Sequence, residues 1–214
     1  MSEQFATPRF LRLPEAKREA IIDAALGEFS EHGFDGANTN KIAARAGVSV
    51  GALFKYFTTK NDLFRFLISQ ATALIEDTVE ELLAAPLPVM EKIEKLCWAA
   101  VKQSREHRGF VALYHELSTI GNRELASDLA SKLEAFTAEQ YARVLKQAQE
   151  DGEISGELPP ALLAFILDSL LMTLQFTATS EYYRDRLVMF AGDVSDEELI
   201  DAVMTVVAKA IGVS

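Results

Sequence analysis

Residues 36–61 read GANTNKIAARAGVSVGALFKYFTTKN, and this stretch decides the fold of the N-terminal part of the chain. It contains four basic side chains, Lys41, Arg45, Lys55 and Lys60, and no acidic one. The whole chain nevertheless has a formal net charge of −11. A cationic segment in an acidic protein indicates a surface that binds a polyanion such as the DNA backbone.

The same stretch predicts two short helices joined by a turn. Asn38 can cap a helix at 39–46 and Ser49 a second helix at 50–56, because their side-chain oxygens accept from free backbone N–H groups. Gly47 suits the turn, where a positive φ is accessible mainly to glycine. The pattern favours a helix-turn-helix whose second helix enters the major groove. An ordinary helical hairpin is the alternative, but it does not account for the absence of acidic residues.

Helical periodicity continues through the rest of the chain, and no alternating strand pattern is found. We therefore predict an all-α fold of about nine helices, with a three-helix DNA-binding domain over residues 1–60 and a helical body over residues 61–214. The predicted helices cover residues 14–32, 39–46, 50–56, 60–84, 89–105, 109–119, 122–150, 161–179 and 196–211.

Charge and composition favour a soluble, cytoplasmic protein. Residues 1–60 hold eight Lys/Arg and seven Asp/Glu, whereas the remainder holds thirteen and twenty-five. The single cysteine, Cys97, excludes an intramolecular disulfide and fits a reducing compartment. The first ten residues contain no apolar run typical of a secretory signal. The apolar stretch 161–179 carries Asp168 at its centre, so we interpret it as a helix packed within protein and not within a membrane.

The sequence carries no pattern typical of an enzyme. It lacks a glycine-rich phosphate loop, a catalytic triad and a metal-ligand motif, and it has three histidines. His107, His115 and Glu116 resemble metal ligands but lack the usual spacing, so we predict ordinary surface residues and no metal or cofactor. A non-enzymatic helical interaction protein stays as an alternative function, although it would need no cationic segment.

The stretch IIDAALGEFSEHGFDGANTNKIAARAGVSVGALFKYFTTKNDLF, residues 21–64, resembles the TetR family of bacterial transcriptional regulators. The resemblance rests on IAARAGVS at 42–49, on the pair Tyr56-Phe57 and on Lys60 at the start of the next helix. It is strongest over residues 17–67. Beyond that region the chain resembles the family only in its helical architecture and length.

The resemblance implies that the 50–56 helix reads DNA and that neighbouring residues contact phosphates. Val50 and Ala52 stand where the family often has polar residues. They offer methyl contacts to thymine but no hydrogen bonds to base edges, so the resemblance does not determine the operator sequence. Arg9 and Arg12 belong either to a minor-groove arm or to a solvated terminus. The implied DNA-binding residues are Asn38, Thr39, Asn40, Lys41, Ser49, Val50, Gly51, Ala52, Lys55, Tyr56 and Lys60.

For the body, the resemblance implies a homodimer on a palindromic operator and a small-molecule effector that releases a repressor. An activator of the same family stays as an alternative. The implied effector pocket is lined by Trp98, Phe110, Tyr114, Phe136, Phe165, Met172 and Phe176. The two most apolar late helices supply the expected dimer interface, through Leu162, Phe165, Ile166, Leu170, Leu174, Leu199, Ile200, Val203 and Val207.

Overall fold

The computed structural model describes residues 5–117 and 123–212. Within helices, the side chains of residues 115–117, 123–126, 128–130, 132 and 133 lie outside that description. The described residues form eleven helices and no strand, which confirms the all-α prediction. The helices are α1 (Pro8–Leu11), α2 (Glu15–Gly36), α3 (Thr39–Arg45), α4 (Val50–Tyr56), α5 (Lys60–Ala84), α6 (Val89–Glu106), α7 (Arg108–Leu117), α8 (Arg123–Glu150), α9 (Pro160–Thr179), α10 (Glu181–Ala191) and α11 (Asp196–Ala210).

Two helices, α1 and α10, were not predicted. The short helix α1 starts at Pro8, whose fixed φ suits a first helical position. None of the residues of α10 is buried, so this helix has no inward apolar stripe by which its sequence could be recognised. The predicted boundary between the helices at 109–119 and 122–150 falls in residues 118–122, outside the described residues.

Local chemistry sets several helix ends. The regular part of α2 ends at Gly33, where φ is 66° and a side chain would be strained. A reciprocal cap starts α5, because the Thr59 N–H donates to Asp62 Oδ2 at 3.0 Å and the Asp62 N–H donates to Thr59 Oγ1 at 3.0 Å. The same arrangement at Ser195 and Glu198 starts α11.

The chain divides into two compact units, and the first comprises Met1–Leu74 with Gly109–Lys132. Its core is aromatic. The ring centroids of Phe10 and Phe57 lie 4.6 Å apart, and those of Phe29 and Phe64 lie 5.0 Å apart, with all four side chains almost fully buried. Tilted and edge-on contacts of this kind add to the stabilisation from burial itself. This core holds α1 to α4 in place.

The second unit comprises Ile75–Arg108 with Leu133–Ser214. In it α6 packs against α9 and α11, around Cys97, Leu171 and Leu174. Burial raises the pKa of the Cys97 thiol to about 12, so this cysteine is a neutral core residue at physiological pH. Among the described helices α9 is the one whose length and hydropathy would allow it to cross a membrane, and buried core helices share these properties.

Candidate nucleic-acid interface

The helix-turn-helix is built by two side-chain caps and one glycine. Asn38 Oδ1 accepts from the Asn40 N–H at 2.8 Å, and Ser49 Oγ accepts from the Ala52 N–H at 3.1 Å. Gly47 lies between α3 and α4 with a φ of 65°. Each cap satisfies one of the free N–H groups at a helix start, and the positive φ reverses the chain direction. Both predicted caps and the predicted turn are therefore present.

One face of α4 is open to solvent. Leu53 and Tyr56 point into the core, whereas Gly51, Phe54 and Lys55 are exposed. Phe54 has 44% of its surface exposed, so its ring is accessible on the open face of α4. We did not predict Phe54 as a site residue, although its spacing of three residues from Gly51 places it on the same face.

Lys60 does not project freely from the start of α5. Its ammonium donates to the carbonyl oxygens of Phe34 at 2.7 Å, of Asp35 at 3.2 Å and of Ala37 at 3.2 Å. It also lies 4.9 Å from the centroid of the Phe34 ring. An ammonium has three N–H donors, and all three are used here. We therefore correct the predicted phosphate contact of Lys60 to a structural contact that closes the end of α2.

Arg45 is also paired within the protein. Its Nη2 lies 3.0 Å from Glu31 Oε2, and its Nη1 lies 3.8 Å from the buried Glu28 Oε2. The hydrogen bond to Glu31 raises the pKa of Arg45, and the same contact lowers the pKa of Glu31. Glu28 Oε1 accepts from the Asn38 N–H at 3.1 Å and so positions the start of α3. Glu28, Glu31 and His32 could together hold a metal ion, but Arg45 already supplies the positive charge.

The segment before α2 packs on the back of α4. The Thr7 N–H donates to the Tyr56 carbonyl at 2.9 Å, and the Thr7 hydroxyl donates to the Lys55 carbonyl at 2.8 Å. Phe10 is 1% exposed, and its ring centroid lies 6.2 Å from that of Tyr56. The backbone at Thr7 and Phe10 is therefore held against α4, whereas the side chains of Arg9 and Arg12 are exposed. The ring of Tyr56 packs in the core, since the residue is 7% exposed, and the phosphate contact of its hydroxyl stays a prediction.

This geometry agrees with a family comparison. The sequence profile of bacterial regulatory proteins of the tetR family matches residues 21–66, from within α2 to the start of α5. The helix-turn-helix of this chain is of the TetR type. The match identifies a DNA-binding transcriptional regulator.

Other comparisons cover most of the chain. The HTH-type transcriptional repressor AcnR of Corynebacterium glutamicum is 26% identical over 188 residues, which are 85% of this chain and 94% of that protein. The transcriptional regulator FadR of Bacillus subtilis, solved with stearoyl-CoA, has a TM-score of 0.69 at 19% identity and covers 92% of this chain and 98% of its own. AibR, solved with isovaleryl coenzyme A and operator DNA, has a TM-score of 0.69 at 15% identity. The match covers 90% of this chain and 97% of the AibR chain.

The predicted pocket residues fall in both units. Phe110 and Tyr114 belong to the first unit, whereas the other five belong to the second. Phe165 is 70% exposed and so does not line the interior of its own unit. Phe136 packs against the core of the second unit. The side chains of His115 and Glu116 lie outside the described residues.

The predicted interface residues divide by burial. Leu174, Ile200 and Val207 are buried in the core of their own unit, so we correct their assignment to a partner surface. Helical periodicity had placed them on apolar helices without showing which side faced the core. Leu170, Leu199 and Val203 are partly buried against that core. Leu162, Phe165 and Ile166 are exposed on α9, and exposed apolar residues not predicted are Tyr182, Val188, Met189, Phe190 and Val206.

Proposed function

We propose that this protein is an effector-responsive transcriptional repressor that binds a palindromic operator as a homodimer. The exposed face of α4 carries the proposal. Gly51, Phe54 and Lys55 lie open on a helix whose opposite side is fixed in an aromatic core. A helix held in this way can enter the major groove of DNA without distortion of the domain beneath it.

The proposed contact set follows from exposure. Val50, Gly51, Ala52 and Phe54 would meet base edges, where apolar groups recognise the methyl group of thymine. Lys55 would contact a phosphate. The other proposed backbone contacts are exposed or partly exposed polar residues at the starts of α3 and α4, namely Asn38, Thr39, Asn40, Lys41 and Ser49. The Tyr56 hydroxyl would also contact a phosphate, whereas Lys60 is left out because its ammonium donates to three carbonyl oxygens within the protein.

The proposed dimer uses the exposed residues of α9. Leu162, Phe165 and Ile166 form an apolar strip that is exposed to solvent in the single chain. Exposed apolar patches are typical of association surfaces. A homodimer on a palindromic operator has to present its two α4 helices to successive major grooves about 34–36 Å apart. The name of AcnR as a repressor supports the proposed sign of regulation.

Effector control is proposed for the part of the chain after residue 60, with DNA binding in residues 1–60. The FadR and AibR structures contain acyl-CoA molecules, which supports a small-molecule effector for a chain of this fold. Such a ligand changes DNA affinity only through its different affinities for the two conformations. We further propose that the protein works in the cytoplasm and catalyses no reaction.

The test is DNA binding across a salt series. The protein should bind a mixed-sequence duplex more weakly as salt rises from about 50 to about 300 mM. Lys55→Ala should lower the salt slope by about one unit. Lys102→Ala, an exposed lysine on α6, serves as the matched control and should leave the slope unchanged. A protein that shows no salt-dependent DNA binding would contradict the proposal. If the protein does bind DNA, selection of bound duplexes from a random-sequence pool should recover a palindromic sequence.

A further inference from the structure

The helix α10 exposes a large apolar surface on the second unit. None of its residues is buried, and the side chains of Tyr182, Met189 and Phe190 are 71%, 84% and 83% exposed. We call these three residues the α10 patch. Contiguous apolar surface of this kind on a folded protein marks a site of contact with another molecule. The α10 patch is therefore a candidate docking surface.

The helix α10 packs on one end of the exposed face of α9. The ring centroids of Tyr183 on α10 and Phe176 on α9 lie 5.2 Å apart. Phe176 follows Phe165 by eleven residues, which is about three helical turns, so both rings lie on the same face of α9. Phe165 is 70% exposed, whereas Phe176 is partly buried. This face is therefore open in its first half and in contact with α10 in its second half.

The division of this face restricts how two copies of the chain can pair through α9. Packed helix axes lie about 8–10 Å apart. If the two α9 helices ran parallel, two α10 helices would separate them at one end, and the open halves at the other end could not reach each other. If they run antiparallel, one α10 lies between them at each end. A two-fold dimer then makes the same contact twice, because each copy offers both surfaces.

We propose that the α10 patch docks on the open half of α9 of a second copy, against the strip of Leu162, Phe165 and Ile166, which we call the α9 strip. The two surfaces match in polarity, since residues 160–167 contain no charged side chain. This inference rests on the proposed homodimer and names the surface that each α9 strip meets.

Area and charge favour a second copy as the occupant. The exposed parts of Tyr182, Phe190 and Phe165 amount to about 450 Å² at about 200 Å² per aromatic side chain. This area is more than half of the about 800 Å² that each partner buries in a standard-size interface. A membrane is disfavoured, because residues 160–214 hold eight Asp/Glu and three Lys/Arg and an anionic lipid surface would repel them.

The experiment mixes two charged variants of the full-length protein. Phe165→Lys and Met189→Glu each place one charge on a largely exposed side chain, so both protomers should stay folded. Each variant alone should self-associate at least about thirtyfold more weakly than the unchanged protein. An equimolar mixture should form a heterodimer at least about tenfold tighter than either homodimer. In it the introduced ammonium meets the introduced carboxylate at one contact, and the second contact keeps its original side chains.

The matched control mixes Phe165→Lys with Phe165→Glu. It places the same two charges on the α9 strips alone, and it should not restore association because each strip faces the partner's α10. Sedimentation velocity measures association in both mixtures, and native mass spectrometry identifies the heterodimer by its mass.

Three results would overturn the inference: association restored in the control, no restoration in the first mixture, or a Met189→Glu variant that associates as tightly as the unchanged protein. Each of these results, obtained with an unchanged protein that is dimeric, would refute the docking of α10 and leave the proposed homodimer standing. An unchanged protein that is monomeric at micromolar concentration would refute the homodimer and the docking together.

Discussion

The ammonium nitrogen of Lys60 lies 2.7 Å from the carbonyl oxygen of Phe34, which is twenty-six residues earlier in the chain. Lys60 opens α5, whereas Phe34 lies in the final turn of α2 beyond Gly33. The contact ties the entry of the helix-turn-helix to its exit. A residue that looks like a DNA contact in the sequence therefore acts as a bond between two helices.

We expect Lys60→Met to destabilise the protein without changing the salt dependence of its DNA binding. The substitution keeps the apolar stem and removes three charge-assisted donors, for an expected loss of about 1–3 kcal/mol in the free energy of unfolding. Urea denaturation measures the loss. Lys55→Ala should behave in the opposite way, with stability unchanged and a lower salt slope. If Lys60→Met lowers the slope as Lys55→Ala does, the ammonium contacts phosphate after all.

Phe10 and Phe54 should respond to alanine in different ways. Phe10 is 1% exposed and packs against Phe57, so Phe10→Ala should lower the free energy of unfolding by about 3–5 kcal/mol. Phe54 is 44% exposed, so Phe54→Ala should change stability by less than about 0.5 kcal/mol while it weakens operator binding. Thermal unfolding and DNA titration separate the two effects. A stable Phe10→Ala variant would contradict the packing of α1 on α4.

The two glycines of the helix-turn-helix should also differ. Gly47 has a φ of 65°, so Gly47→Ala forces a side chain into the left-handed region and should cost about 1–2 kcal/mol. Gly51 lies in α4, and a Cβ placed there would meet no atom within 4 Å. Gly51→Ala should therefore leave stability unchanged or raise it by up to about 1 kcal/mol. Chemical denaturation of both variants checks the sign, and equal losses would contradict the assignment of the turn.

Asp168 should make stability depend on pH. Its folded-state pKa of about 6 lies above the ordinary value of 3.8, so the folded protein binds more protons than the unfolded chain between these values. Stability therefore falls as pH rises from about 4 to about 6, and the loss persists above that window. Asp168→Asn should raise the free energy of unfolding at pH 8 by at most about 3 kcal/mol and by little at pH 4. An equal gain at both pH values would exclude the carboxylate charge as the cause.

Phe165→Glu should dissociate the dimer while each protomer stays folded. The side chain is 70% exposed, so a charge there costs the folded protomer little. A buried charge at an interface should raise the dimer dissociation constant at least about thirtyfold, or about 2 kcal/mol. Sedimentation equilibrium measures the change. Phe54→Glu, which adds the same charge to an exposed ring in the DNA-binding unit, is the control and should leave the dimer intact.

Local features were predictable from the sequence, and distant pairings were not. Asn38, Gly47 and Ser49 act through backbone groups within a few residues, so their roles follow from residue type and spacing. The partners of Lys60 and Arg45 lie fourteen or more residues away, and charge counting along the sequence missed both.

The helices of the body show a similar limit. Periodicity located α9 and α11, but it did not show which apolar residues face their own core. Ile200 is buried and Val206 is exposed on the same helix α11, although both are aliphatic. Burial in the folded protein, and not hydrophobicity alone, separates a core residue from a candidate partner surface.

The pairing of Arg45 with Glu31 has a kinetic consequence. With this guanidinium held by carboxylates and the Lys60 ammonium held by carbonyls, two of the four cations in residues 36–61 attract passing DNA only weakly. The acidic remainder of the chain adds long-range repulsion. Such a protein would spend little time sliding on unrelated duplex, and it would find its target mainly by repeated collisions from solution.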